Sequence, residues 1–283
     1  MRKTVFLAGL VFWGTALFAL DLTVTGGFGN FAFDPKDKHE IGGGEFDGNY
    51  AASGKIELTD TLSDLFRFTT ALERDPVLRN SLGGELEIGV ENFSFAIGPF
   101  FGIFNSSDYF KPGISTSLEI VFPGIIFGRI DAGATLQGVD GEGDYSTLSS
   151  EIAVGFWLPH LVNIISLATK KFSIQETGYL YTEDSLWRFQ YRGEIHSKSN
   201  NYIVAIDIGY QTLRRSYEAA SAASYDEVRA VFLGFDASIT VKPLLTILLG
   251  LESPVYFWGK APLERGGRSL FFQAMAGFRY RFE

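Results

Sequence analysis

The stretch FFQAMAGFRYRFE, residues 271–283, alternates between two kinds of side chain. From Phe272 onward every second residue is apolar, and the residues between them include Arg279 and Arg281. Because side chains of a β-strand point alternately to opposite faces, this pattern predicts a strand with one apolar and one polar face. In a water-soluble sheet the apolar face packs inward, whereas in a transmembrane barrel it faces lipid. The rest of the sequence decides between the two.

The composition narrows the class of protein. The 283 residues are 46% hydrophobic and 15% aromatic, with 27 Phe and 32 Gly, which is a high aromatic and glycine content for a soluble domain. Cysteine is absent, which excludes disulfides, thiolate metal sites and a cysteine nucleophile. A formal net charge of -9 argues against binding to nucleic acid. The three histidines show no metal-ligand spacing, so we predict neither a metal nor another cofactor.

The first nineteen residues have the pattern of a secretory signal peptide. Arg2 and Lys3 form a basic start, an apolar run follows to Leu17, and small residues come next. We predict a signal peptide at residues 1–19, cleaved after Ala19 or alternatively after Ala16, and a single domain at residues 20–283. The alternative is an uncleaved anchor, although the run is shorter than the ~20 residues that span a bilayer.

Two kinds of break separate the predicted strands. Short turn signals lie at residues 59–63, 91–92, 123–124, 158–160, 197–201 and 242–243. Longer breaks, rich in Gly, Ser and charge, lie at residues 34–49, 74–81, 105–113, 137–145, 175–178, 216–226 and 258–267. This alternation predicts an all-β, antiparallel, up-and-down transmembrane β-barrel of about fourteen strands, or twelve if the weakest pair merges, with short periplasmic turns and longer extracellular loops. Pro99, inside a strand, indicates a bulge.

The polar register of the strands collects most of the charged residues. In SLWRFQYRGEIHS, residues 185–197, Arg188, Arg192 and Glu194 alternate with Trp187 and Tyr191. The same register along the chain predicts these lumen-lining residues: Asp21, Lys55, Glu57, Arg67, Glu85, Glu87, Glu119, Arg129, Asp131, Glu151, Arg188, Arg192, Glu194, Asp207, Asp236, Glu252, Arg279 and Arg281. Five aromatic residues fall on it too and predict a narrowed lumen: Phe100, Phe104, Phe127, Trp157 and Phe271.

Two interpretations of the charged face remain open. The face lines a water-filled pore, in which the acidic excess favours cations. Alternatively, acids and arginines on neighbouring strands form an ion-pair network that stiffens or fills a narrow barrel. A barrel of about fourteen strands encloses more space than the eight-stranded barrels that side chains fill, which favours the pore.

The sequence resembles the bacterial outer-membrane β-barrels of the porin-like type, in architecture and without a specific subfamily. In that family the last strand carries alternating aromatics that the barrel-assembly machinery recognises. Phe278, Tyr280 and Phe282 match this assembly signal, while Glu283 departs from it by following the last Phe. The resemblance implies an outer-membrane location, with outer-membrane lipid, the assembly machinery and small solutes as partners. Similarity in size to monomeric fourteen-stranded porins favours a monomer.

We therefore expect a passive channel for small hydrophilic solutes or ions, with a mild preference for cations, and not an enzyme. One alternative is a barrel scaffold whose extracellular loops bind ligands or a host. Another is an outer-membrane hydrolase that uses His196 beside Glu194, although no G-x-S-x-G element accompanies the pair. A secreted soluble β-protein is the remaining alternative.

Overall fold

The computed structural model describes residues 20–31, 51–104, 110–175, 181–197, 199, 201–219, 222–259 and 271–282. The predicted signal peptide and the predicted loop at residues 34–49 lie outside these ranges. No helix within them is long and apolar enough to cross a membrane.

Within the described ranges, fourteen strands form one closed antiparallel sheet, in which each strand pairs with its neighbours in sequence and β1 pairs with β14. The strands are β1 (Leu20–Gly29), β2 (Ala51–Thr61), β3 (Phe66–Asp75), β4 (Arg79–Val90), β5 (Phe93–Ile103), β6 (Phe110–Phe122), β7 (Ile126–Thr135), β8 (Tyr145–Leu158), β9 (Leu161–Gln175), β10 (Tyr181–His196), β11 (Tyr202–Ala219), β12 (Ala222–Lys242), β13 (Leu245–Gly259) and β14 (Gln273–Arg281). The predicted all-β, fourteen-stranded up-and-down barrel is confirmed.

The apolar register of the strands faces outward. Ile206, Phe235 and Leu251 are neighbours across β11, β12 and β13, and about half of each remains exposed, at 54%, 48% and 54%. Asp207, the next residue along β11, is only 4% exposed. Since adjacent side chains of a strand point to opposite faces, the polar register lies inside the barrel.

The seam between β1 and β14 closes the barrel. Asp21 pairs with Arg281 and Val24 with Phe278, so the polar residues of the two strands meet on one face and the apolar ones on the other. The backbone N–H of Phe282 donates to the carbonyl of Leu20 at 2.8 Å. Closure leaves no sheet edge with unpaired backbone groups, which an isolated sheet would expose.

The connections at one end of the barrel, called the turn side below, are all short. They occupy residues 62–65, 91–92, 123–125, 159–160, 197–201 and 243–244, close to the six predicted turns. Gly124 and His160 have positive φ angles of 74° and 64°, which tight reversals of the chain often require. The opposite end is called the loop side.

Two predicted long loops on the loop side are wrong. Residues 74–81 form the end of β3, a three-residue turn and the start of β4, because the Asp75 carboxylate accepts hydrogen bonds from the N–H groups of Val77 (2.7 Å) and Leu78 (2.9 Å). Residues 216–219 continue β11 and residues 222–226 belong to β12, with Arg215 pairing opposite Asp226. Loop lengths on this side are therefore uneven.

The predicted bulge at Pro99 is also wrong. Gly83 pairs with Phe100 and Leu86 with Ile97, so two residues lie between these pairs on each strand and the register does not shift. Pairing is interrupted at Pro99, which lacks the N–H that the ladder needs. Gly98 next to it approaches β4 so closely that a Cβ would lie 1.7 Å from the Gly84 carbonyl oxygen.

The barrel wall differs in height around its circumference. Strands β1 to β7 have 10 to 13 residues, whereas β8 to β13 have 14 to 21, and we call the latter the tall wall. Because the turn-side connections are all short, the additional length of the tall wall extends toward the loop side.

Candidate functional site

The centre of the tall wall carries an ion-pair network around Arg192. Arg192 Nη1 donates to Asp236 Oδ2 at 2.5 Å and to Asp207 Oδ2 at 3.0 Å, and Nε donates to Glu194 Oε1 at 2.7 Å. Gln190 Nε2 donates to Asp207 Oδ1 at 2.6 Å. One guanidinium thus compensates three carboxylates on β10, β11 and β12, and burial of these acids depends on it.

A second arginine of β10 spans the inner face of the tall wall. Arg188 donates to both carboxylate oxygens of Glu252 on β13, at 2.5 and 3.2 Å, although β11 and β12 lie between the two strands. Its guanidinium carbon lies 3.9 Å from the centroid of the Phe232 ring. Gly209 makes room for that ring, since a Cβ there would lie 2.5 Å from it. Bidentate and stacked contacts of this kind fix an arginine in one orientation.

The other predicted lumen residues contact near neighbours, or no charged partner at all. Ion pairs join Lys55 with Glu57, Arg67 with Glu87 (3.1 Å), Arg129 with Asp131 (2.7 Å) and Glu151 (3.4 Å), and Arg281 with Asp21 (2.9 Å). Arg279 donates to the Thr23 hydroxyl at 3.4 Å. Glu85 and Glu119 form no ion pair with another described residue. Local pairs that water reaches contribute little to stability.

A cavity of about 220 Å³ lies against the wall opposite the Arg192 network, along β2 to β8. Its lining combines small residues such as Gly83 and Ser115 with the carboxylates of Glu57, Glu73 and Glu85. Glu73 and Glu85 have no hydrogen-bond or ion-pair partner among the described residues. Glu73 was not among the predicted lumen residues, although it shares the register of Arg67 on the same strand.

Aromatic side chains narrow the interior toward the loop side. Phe104 lies 5.8 Å from Tyr145 and 5.4 Å from Phe172, measured between ring centroids. Phe127 and Trp157, nearer the turn side, are 4.9 Å apart. A Cβ on Gly155 would lie 2.3 Å from the Phe127 ring, so this contact also depends on a glycine.

His196 and Glu194 lie close together, but the histidine is not linked to a nucleophile. The distance from His196 Nε2 to Glu194 Oε2 is 3.5 Å, and Glu194 also accepts the hydrogen bond from Arg192. His196 Nε2 is buried and makes no hydrogen bond among the described residues. A hydrolytic pair requires a hydroxyl or water held by the histidine. No described side chain fills that role.

Lys111 and Asp144 anchor the connection between β7 and β8, and neither is among the predicted site residues. Lys111 is fully buried, and its ammonium group donates to the Gly138 carbonyl at 2.5 Å and to both oxygens of Asp144 at 2.9 Å. Burial alone would raise the pKa of Asp144. Hydrogen bonds from Lys111 and from the N–H groups of Asp140 and Tyr145 outweigh burial and hold that pKa below its ordinary value.

We expect Asp144→Asn to release residues 136–144 at neutral pH, because it leaves a buried ammonium without its counter-charge, at a cost of roughly 3–5 kcal/mol. In the unmodified chain, the lowered pKa of Asp144 means that its contribution to stability is complete above the ordinary carboxyl pKa. It is lost only as the pH falls through the lower, folded value. Hydrogen exchange of residues 136–144 as a function of pH measures both effects.

Glu142→Gln is the matched control, because this exposed residue lies in the same connection and has no ion-pair partner among the described residues. It should leave hydrogen exchange unchanged. Equal protection in the Asp144→Asn and Glu142→Gln variants would show that the Lys111 contact does not hold the connection.

The comparisons with known proteins agree with this architecture. The sequence matches no protein-family model and no curated protein. Among solved structures, a bacterial polysaccharide outer-membrane secretin aligns with a TM-score of 0.50 and 12% identity, over 95% of this chain and 100% of that one. An outer-membrane channel from Pseudomonas putida F1 aligns with a TM-score of 0.54 and 9% identity, over 95% and 96%. At such identities the likeness is one of fold, and the chain has the fold of an outer-membrane β-barrel.

Proposed function

We propose that this chain resides in an outer membrane and forms a passive channel for small hydrophilic solutes or ions, with a mild preference for cations. The observation that carries the proposal is the difference in polarity between the outer and inner faces of the closed barrel. Its outer face exposes apolar side chains and its inner face carries the charges, which is the reverse of a soluble β-barrel and suits a sheet surrounded by lipid.

Aromatic side chains near both ends of the outer face support a membrane location. Toward the loop side, the Tyr210 ring lies 5.7 Å from Trp187 and 5.6 Å from Trp258. Toward the turn side, Tyr280 and Phe282 pack edge to face at 4.8 Å. Amphipathic rings at two levels are typical of the two interfaces of a bilayer with water.

The charge distribution inside the barrel supports a preference for cations. On the tall wall, Arg188, Arg192 and Arg215 are each paired with carboxylates. Across the lumen, Glu73 and Glu85 border the cavity and form no ion pair with another described residue. Uncompensated carboxylates along a narrow aqueous path raise the local concentration of cations and exclude anions.

A planar bilayer experiment tests the proposal. We expect the purified protein to give stepwise conductance and, under a KCl gradient, a reversal potential on the cation-selective side. Glu73→Gln combined with Glu85→Gln should move the reversal potential toward zero, because it removes the two unpaired carboxylates of the cavity.

Asp64→Asn combined with Glu91→Gln is the matched control, since these exposed residues lie in turn-side connections outside the cavity. It removes the same charge and should change the reversal potential much less. Protein that inserts but gives no steps would refute the channel. Steps with equal selectivity in both double variants would refute the role of the cavity carboxylates.

A further inference from the structure

The short connection between β3 and β4 contacts the far side of the barrel. We call residues 75–79 the crossing turn. On the shorter path around the barrel, five strands (β5 to β9) separate β4 from β10. Contacts between the crossing turn and β9, β10 or the strands beyond therefore pass through the lumen. Three kinds of contact do so: ion pairs, a cation–π contact and an apolar cluster.

Two ion pairs join the crossing turn to the tall wall. Lys170 on β9 donates to the Asp75 carboxylate, and Arg79 Nη2 donates to Asp184 Oδ2 on β10 at 2.8 Å. Asp184 is in turn held by Arg215 on β11, whose Nη2 donates to Oδ2 at 2.6 Å. The Arg79 guanidinium also lies 5.2 Å from the Phe172 ring centroid. The Asp184 carboxylate is therefore held in place by Arg215, and it remains paired with Arg215 when Arg79 is replaced.

The tip of the crossing turn is buried in an apolar cluster. Val77 is only 7% exposed and belongs to one cluster with Leu213 on β11, Val228 on β12 and Phe271. Loop tips normally lie at the surface in water. A buried apolar tip therefore indicates a docking contact.

Local hydrogen bonds hold the crossing turn in its docked shape. One oxygen of Asp75 accepts the N–H groups of Val77 and Leu78, while the other receives Lys170. Arg79 donates to the Pro76 carbonyl at 2.8 Å and has a φ of 70°, a strained conformation for a residue with a side chain. The same two charged residues therefore shape the turn and attach it to the opposite wall.

We propose that the crossing turn is a closure inside the barrel, which docks on the tall wall through Val77 and its two ion pairs and restricts passage from the loop side. Undocking would widen the entrance without unfolding the barrel, because residues 76–78 lie outside the strand ladder and Asp75 and Arg79 form only its last pair. This role in passage rests on the proposed channel function, whereas the docking itself does not.

Thiol labelling tests the docking, since the chain has no cysteine and an introduced one is unique. We expect Val77→Cys in the folded, detergent-purified barrel to react with a water-soluble maleimide at least about tenfold more slowly than Leu136→Cys. Tenfold corresponds to a difference of about 1.4 kcal/mol in the free energy needed to expose the thiol. Leu136 lies at the same end of the barrel and is 62% exposed. Adding Arg79→Ala and Lys170→Met to Val77→Cys should raise its rate about tenfold.

Equal rates for Val77→Cys and Leu136→Cys in the otherwise unchanged chain would overturn the proposal. If Val77→Cys reacts slowly and Arg79→Ala with Lys170→Met leaves its labelling rate unchanged, the two ion pairs do not keep the crossing turn docked, and that part of the proposal is overturned. If the variant with both substitutions does not fold, Arg79→Ala alone is used, since Asp184 keeps its contact with Arg215. A rate unchanged by that single substitution counts against the proposal in the same way.

Conductance separates the closure from the channel function. The Arg79→Ala and Lys170→Met variant should conduct more than the unmodified protein in a planar bilayer. Equal, measurable conductance in both would overturn the closure while the channel function stands. If neither the unmodified protein nor the variant conducts, the channel function and the role of the turn in passage are both refuted. The docking of the turn still stands in that case if the two substitutions raise the labelling rate of Val77→Cys.

Discussion

Replacing Arg192 with methionine should destabilise the barrel by roughly 3 kcal/mol, because a partly buried carboxylate cluster loses the charge that compensates it. Arg192 contacts Asp207, Asp236 and Glu194, and Asp207 is only 4% exposed. Methionine keeps most of the side-chain volume, so the loss is mainly electrostatic. Denaturant unfolding in lipid vesicles measures the change.

Arg67→Met is the matched control. Arg67 pairs with Glu87 at 3.1 Å, but half of its side chain is exposed to water, at 51% against 26% for Arg192. An exposed pair contributes about 0–1 kcal/mol, so this variant should unfold nearly as the unmodified protein does.

A second substitution tests whether charge is the cause. Adding Asp207→Asn to Arg192→Met removes one of the uncompensated carboxylates and should restore part of the stability, which a double-mutant cycle would detect. If Arg192→Met costs no more than Arg67→Met, water in the lumen already screens the three acids. The network would then contribute no more than surface ion pairs do.

Much of the fold was predictable because a β-barrel repeats one local rule. The period of two assigned an outer and an inner face to each strand, and Pro, Gly and Asn marked the turn-side connections. The seam is consistent with this rule: Asp21 and Arg281, both predicted to lie on the inner face, form a 2.9 Å contact between strands at opposite ends of the sequence.

The prediction of a long loop failed where the residue composition is typical of loops but the residues pair as strands. Residues 216–219 and 222–226 include Ser, Glu and Asp, which are common in loops. Residues 216–219 nevertheless pair with residues 222–225, and Asp226 pairs with Arg215, so these residues extend the tall wall. Strand propensity depends on such neighbours more than on the residue itself.

The crossing contacts were not predictable from the sequence. Arg79 and Asp184 are 105 residues apart and lie on strands that do not pair. Periodicity places each of them on a face, but it does not show which strands lie opposite each other in the closed barrel. For the same reason, the sequence did not show where on the inner face each kind of charge arrangement occurs. The ion-pair network lies on the tall wall, and the cavity with the unpaired acids lies across the lumen from it.

Phe282→Ala should prevent most of the chain from assembling into the membrane, whereas Arg279→Ala should assemble normally. The backbone of Phe282 donates to Leu20, and alanine keeps that hydrogen bond, so strand closure is not removed directly. What is lost is an exposed aromatic ring beside Tyr280, which we propose as part of the signal that the barrel-assembly machinery reads. Heat-modifiable gel mobility of the membrane fraction measures assembly.

Phe272→Ala separates recognition from simple loss of apolar area. Phe272 lies just before β14, in the same outward register as Phe282 but at the loop side, where it packs near Phe28. Both substitutions remove one phenyl ring, so a general need for apolar surface predicts the same defect in both. A signal at the turn side predicts a defect in Phe282→Ala alone. Equal assembly of the two variants would therefore refute the signal, while Arg279→Ala, which leaves the aromatic face intact, should differ from the unmodified protein only in its ion selectivity.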